Sequence, residues 1–176
     1  MKKVLVFGSS GMIGHVIFNH LTATKQYLVI GSTKQGTKID SRCYIDVRDQ
    51  LKVENYLCEV NPDIVINCAG ILISEAEKNI EDAIRINALF PNLLSRLGSV
   101  LNYKLIHIST DCVFSGQEGN YSETACPEGE SVYAKTKALG ELINDIHLVI
   151  RTSTIGPEIK SESHGLLQWF FQQKGQ

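Results

Sequence analysis

Tyr133-Ala134-Lys135-Thr136-Lys137 sets a phenol and an ammonium four residues apart, and on a helix that spacing puts both on one face. An ammonium held there can stabilise a phenolate and bring the tyrosine pKa down toward the working range, so Tyr133 can serve as a general acid toward a carbonyl oxygen. Thr110 closes the apolar run Ile106-His107-Ile108-Ser109 and can donate a hydrogen bond to the same oxygen as negative charge develops on it. A tyrosine and lysine at this spacing are, taken alone, usually an ordinary surface pair. What raises them above that is the company they keep.

That company begins at the other end of the chain, where Gly8-Ser9-Ser10-Gly11-Met12-Ile13-Gly14 follows the run Val4-Leu5-Val6-Phe7. Gly8 permits a tight turn, Gly11 lets a pyrophosphate approach the backbone, and Gly14 lets the next helix pack closely. Ser10, Met12 and Ile13 sit on the loop and first helical turn, whose N–H groups and dipole favour an anion. This is the pattern of a dinucleotide site, with nicotinamide as the hydride source that a tyrosine acid requires.

The remaining binding candidates follow from that assignment. After the second apolar run the chain reads Ile30-Gly31-Ser32-Thr33-Lys34, with no carboxylate to hold a ribose 2′-hydroxyl. Hydroxyls at Ser32 and Thr33 with the Lys34 cation suit a 2′-phosphate, which favours NADPH with NADH left open; a solvated turn lysine is the plain alternative. Asp46, with Val47 beside it, reads either as an acceptor for the adenine amino group or as a helix cap. Cys68, Ala69 and Gly70, following Asn67, are small enough for a ribose to lie against the backbone. Asn87 lies inside a helical run, where asparagine is a poor fit, so it is either buried and bracing or simply exposed. No metal site is expected.

The elements that must position these residues alternate. Strands are expected at Lys3 to Phe7, Tyr27 to Ile30, Cys43 to Ile45, Ile64 to Asn67, Lys104 to Ser109 and Leu148 to Arg151. Helical spacing runs over Met12 to Leu21, Gln50 to Val60, Ile80 to Leu97 and Tyr133 to Asn144. The rhythm is that of an α/β doubly wound parallel sheet, a Rossmann-like NAD(P)-binding fold over 1–156. Ser115 to Ser131 reads as a long functional loop. After Arg151 the rhythm lapses, and Leu166, Leu167, Trp169, Phe170 and Phe171 want a partner surface.

A chain of 176 residues, 43% hydrophobic and 20% charged, fits one core, and a net charge of -2 without a basic run argues against nucleic acid. No apolar stretch approaches membrane-spanning length or a signal peptide, which places the chain in the cytoplasm. Five cysteines without a C-x-x-C pair fit reduced thiols, and no chemistry is assigned to them.

Together, the glycine loop, Asn67-Cys68-Ala69-Gly70, Ser109-Thr110-Asp111-Cys112-Val113-Phe114-Ser115-Gly116, Tyr133-x-x-x-Lys137 and Gly140-Glu141 resemble the extended short-chain dehydrogenase/reductases. The S-T-D-x-V-F-x-G string and Arg151-Thr152-Ser153 are most similar to dTDP-4-dehydrorhamnose reductase. The resemblance implies Thr110, Tyr133 and Lys137 as the catalytic set. It also implies a 4-keto sugar nucleotide as substrate, in activated-sugar synthesis for surface polysaccharide; a homodimer is left open. Cys112 stands where those reductases usually carry Tyr. It also stands where the related dehydratases carry Glu, which argues against dehydration. An epimerase, or a non-catalytic module like the regulatory subunit of methionine adenosyltransferase, remains the alternative. The family continues into a C-terminal substrate region, so the chain is expected to be a fragment, with 157–176 its beginning.

Overall fold

Val4, Leu5, Val6 and Phe7 are all buried, alternately toward two opposite cores, as a strand must be when helices cover both of its faces. The computed structural model describes residues 1–34, 42–141, 144–156 and 166–173. Its six strands, β1 (Lys2–Phe7), β2 (Tyr27–Thr33), β3 (Arg42–Tyr44), β4 (Ile64–Asn67), β5 (Lys104–Ser109) and β6 (Leu148–Arg151), form one parallel sheet in the order β3-β2-β1-β4-β5-β6. The doubly wound α/β expectation holds, and all six strands lie within a few residues of where periodicity put them. β2 runs further than expected, through Gly31, Ser32 and Thr33.

Helix α1 (Met12–Thr24) covers one face, with Phe18 packing among Val4, Val6, Val29 and Ile66. On the other face α2 (Gln50–Val60) and α5 (Phe90–Leu101) bring Val53, Leu57, Phe90 and Leu94 onto Leu5, Phe7, Val65 and Leu105. Phe7 and Phe90 meet edge to face at 5.1 Å, a favoured aromatic geometry. Asp49 accepts from the Lys52 N–H to cap α2, and Ser131 accepts from the Ala134 N–H to cap α6 (Val132–Gly140).

The helix expected from Ile80 to Leu97 is three pieces: α4 (Ile80–Ala83), a π-helical stretch (Ile84–Leu89) and α5. Pro91 offers no N–H to the carbonyl of Asn87, so the ordinary helical bond there cannot form, and the chain widens just ahead of it. Two helices escape the periodicity reading: short α3 (Ile73–Lys78) and α7 (Leu166–Gln172), which lies in the tail read as irregular. α6 ends at Gly140, and 142–143, the end of the Tyr133 to Asn144 expectation, lie outside the described residues, as do 157–165 and 174–176 of the tail. No helix is long and apolar enough to cross a membrane among the described residues.

Candidate active site

Strand order reverses between β1 and β4, and the crevice this opens at the carboxyl ends of the strands is where ligands bind in open α/β sheets. The glycine loop lies in it. Gly8 has φ +72°, and a Cβ there would come within 2.8 Å of the Ala69 nitrogen; a Cβ on Gly14 would lie 2.1 Å from the Gly8 carbonyl oxygen. Both positions therefore exclude any side chain. Gly11 caps α1 without a side-chain hydrogen bond, which leaves the first N–H groups of the helix open to an anion.

The loop is laced to β2. Ser9 donates to the Ser32 carbonyl from both its backbone N–H and its hydroxyl, each at 2.9 Å, and the Ser10 and Thr33 hydroxyls are 2.8 Å apart. Ser32 is buried because β2 extends beneath the loop, while Lys34, next after the strand, is exposed.

Asp46 is no helix cap, since Asp49 fills that role. Its carboxylate is forked by Arg48, at 2.6 Å from one guanidinium nitrogen, and that hydrogen bonding holds the carboxyl down at about 2. Arg48 reaches on to Asp82 at 2.9 Å, tying the loop after β3 to α4. Sequence reasoning did not single out Arg48; an Asp-x-Arg so near a strand end is its only signal.

At the end of β4, Asn67 is fully buried, accepts the Ala69 N–H at 3.0 Å through Oδ1, and donates through Nδ2 to His107 Nδ1 at 3.1 Å. Burial pushes the Cys68 thiol up to about 12 and keeps it neutral. Asn87 is the buried brace rather than an exposed residue. It exchanges two hydrogen bonds with the backbone of Ile71, at 3.0 and 3.1 Å, and donates to the Thr136 hydroxyl at 3.3 Å. It thus links the segment after β4 to α6. Gly140 makes this approach feasible: a Cβ there would lie 2.1 Å from the Asn87 carbonyl oxygen.

Half-buried Tyr133 and buried Thr110 come together at the end of β5, where the Thr110 hydroxyl donates to the Asp111 carboxylate at 3.2 Å. Thr110 also accepts the Cys112 N–H at 3.2 Å. Lys137 is buried on the same helix, and its ammonium has a backbone partner that the spacing did not foretell. Its Nζ donates to the Ile108 carbonyl at 2.7 Å. Burial raises the Tyr133 pKa, more than neighbouring Thr110 lowers it, so the phenol keeps its proton. Burial also lowers Lys137 to about 8, with Glu141 and Cys68 opposing the shift.

Glu141 closes the outer side. It takes a forked contact from Arg151, as close as 2.8 Å, and a hydrogen bond from the Ser109 hydroxyl. Arg151 lies 4.9 Å over the Phe114 ring, which stacks on Tyr121 at 4.3 Å and 5°. Between Val113 and Ser131 no strand or helix forms among these described residues, and the stack anchors the loop. Among the described residues, no group of three or more His, Cys, Asp or Glu side chains is placed to hold a metal ion.

A chain with this crevice, loop and Tyr–Thr–Lys cluster has relatives. It is 31% identical over 157 residues to the spore coat polysaccharide biosynthesis protein SpsK of Bacillus subtilis, covering 88% of this chain and 52% of that one. Among solved structures it is similar to a hypothetical dTDP-4-dehydrorhamnose reductase from Sulfolobus tokodaii, at 32% identity and a TM-score of 0.79, over 88% of this chain and 56% of that one. The Bacillus anthracis dTDP-4-dehydrorhamnose reductase in complex with NADP matches at 26% identity and a TM-score of 0.77, over 89% and 56%. The chain thus spans about half the length of the relatives it matches. The model for the RmlD substrate binding domain matches residues 1–165, and the chain belongs to that family.

Proposed function

We propose that this chain holds NADPH and acts in the reduction of a 4-keto sugar nucleotide to the corresponding secondary alcohol. The observation that carries the reading is the placement of the Tyr133 phenol, on α6, beside buried Thr110 at the carboxyl end of β5, on the same end of the sheet as the glycine loop. The residues present fit the dinucleotide: α1 is uncapped by any side chain, and Gly8 and Gly14 pack the turn so tightly on its own backbone that only glycine allows the loop to present its N–H groups there.

The Gly8–Gly14 loop and the first N–H groups of α1 bind the pyrophosphate, Lys34 faces the 2′-phosphate, Asp46 accepts from the adenine amino group, and Cys68, Ala69 and Gly70 line the ribose. Thr110 donates to the keto oxygen and orients it, and Tyr133 gives that oxygen its proton. A dinucleotide held there would supply hydride for the keto carbon, and with the Tyr133 proton the ketone balances to the alcohol. Lys137, four residues further along α6, supplies a positive charge that favours the phenolate left as the proton leaves. A phenol that starts protonated suits reduction.

The Bacillus anthracis relative that carries NADP supports the cofactor, and the reductases named above support the substrate class. The test is NADPH oxidation with a dTDP-4-keto-6-deoxyhexose, beside the Tyr133→Phe variant. Loss of roughly two or more orders of magnitude in turnover with cofactor affinity unchanged is expected. Undiminished turnover in the variant overturns the assignment.

A further inference from the structure

His107 is fully buried in the middle of the sheet, directly opposite Asn67 in the β4–β5 register. Its tautomer is fixed from the neighbouring strand. The Ala69 N–H needs an acceptor and takes Asn67 Oδ1 at 3.0 Å, so the amide nitrogen of Asn67 must point at His107 Nδ1, 3.1 Å away. Nδ1 is therefore the acceptor and the proton sits on Nε2. That Nε2 finds no hydrogen-bond partner among the described residues.

A buried donor without a partner is a cost to the fold, so packing alone gives this strand position no reason to hold an imidazole. The Nδ1 side supplies one. His107 immobilises Asn67, Asn67 immobilises the Ala69 N–H, and the backbone so fixed is the surface against which Gly8 packs, so closely that a Cβ on Gly8 would lie 2.8 Å from the Ala69 nitrogen. Cys68 in the same segment lies near Lys137. The row from His107 to Ala69 thus shapes the floor between the glycine loop and the Tyr133–Lys137 helix.

Resting on the cofactor reading above, we propose that His107 is a positioning residue for the nicotinamide half of the dinucleotide, acting through Asn67 on the Cys68–Gly70 backbone. The adenosine half, which meets β2 and the loop after β3, lies outside its reach.

The test compares binding of NADPH with binding of 2′,5′-ADP, which carries the adenosine half alone, by calorimetry on wild type, His107→Leu and His107→Asn. Leucine removes the acceptor; asparagine retains an acceptor at the δ position and discards Nε2. His107→Leu is expected to weaken NADPH by roughly tenfold while 2′,5′-ADP changes less than about twofold, and His107→Asn is expected to restore NADPH to within about threefold. Equal weakening of both ligands by leucine, or no weakening of NADPH, overturns the proposal. If leucine impairs folding, the asparagine variant decides alone: NADPH weakened in it as selectively as the leucine variant was expected to show overturns the δ-acceptor role, and retained binding supports it. A wild-type chain that binds neither ligand refutes the cofactor reading itself, an outcome distinct from either.

Discussion

Lys137 donates from Nζ to the Ile108 carbonyl oxygen over 2.7 Å, which seats the ammonium between α6 and β5 at the expense of its hydration. The folded pKa, about 8, lies below the ordinary lysine value because burial penalises the charge. Between about pH 8 and 10.5 the unfolded chain binds more protons than the folded one, so this group makes stability rise with pH across that window. Lys137→Met is expected to be more stable than wild type at pH 7 by roughly 1 to 3 kcal/mol, and the gap should close by about pH 10.5. Thermal denaturation at the two pH values checks this; a gap independent of pH contradicts it. Reduction should be lost in the same variant, so the lysine serves chemistry against stability.

His107 works in the opposite pH range. Burial, with help from the Lys137 charge, depresses it to about 3, so its neutral form contributes fully above the unfolded value near 6.5 and that contribution fades as pH falls toward 3. Wild type should lose roughly 3 kcal/mol through this group between pH 6.5 and 4, and His107→Asn should lack that component of the slope. Urea unfolding at the two pH values, compared between proteins, reads the difference. Parallel slopes would show that the imidazole is not buried neutral.

Gly140→Ala drives a methyl into the Asn87 carbonyl, where the space is 2.1 Å. Neither α6 nor the π-helical stretch can yield without moving Asn87 off Ile71 and Thr136. Destabilisation of about 3 kcal/mol or more is expected from overpacking, with loss of turnover beyond the loss of folded protein. A variant within about 1 kcal/mol of wild type would mean the two helices separate easily.

Lys34 is the exposed cation at the end of β2. Lys34→Ala should narrow the preference for NADPH over NADH by about 1 to 3 kcal/mol, the worth of a charge-assisted contact. Calorimetric titration with both cofactors decides; an unchanged difference, or a wild type preferring NADH, removes the 2′-phosphate assignment.

Period and motif carried most of this fold into view, because parallel strands covered on both faces read as apolar runs and glycine spacing marks the turn between β1 and α1. What escaped was set by partners distant in sequence. Asn67 and His107 are forty residues apart in the chain, and only the β4–β5 register makes them neighbours. A polar residue inside a buried strand asks for such a partner, and that signal was available at His107. The burial of Ser32 follows from three extra residues of β2 held by Ser9, and strand ends are where local pattern is weakest. For Tyr133 and Lys137 the spacing located both side chains, but the direction of the ammonium depended on a free carbonyl at Ile108, which no spacing rule contains.

The stack of Phe114 on Tyr121, held under Arg151, has a consequence for how a ligand is received. It cross-links the chain early in its longest irregular stretch, and Arg151 adds a second tie through the Glu123 carbonyl at 3.2 Å. Because the entropy of closing a loop grows only with the logarithm of its length, these two clasps remove much of the chain's freedom before anything binds. A ligand arriving over Thr110 and Tyr133 therefore meets a wall already in place, and more of its contact energy remains for affinity and for orienting the reacting carbonyl.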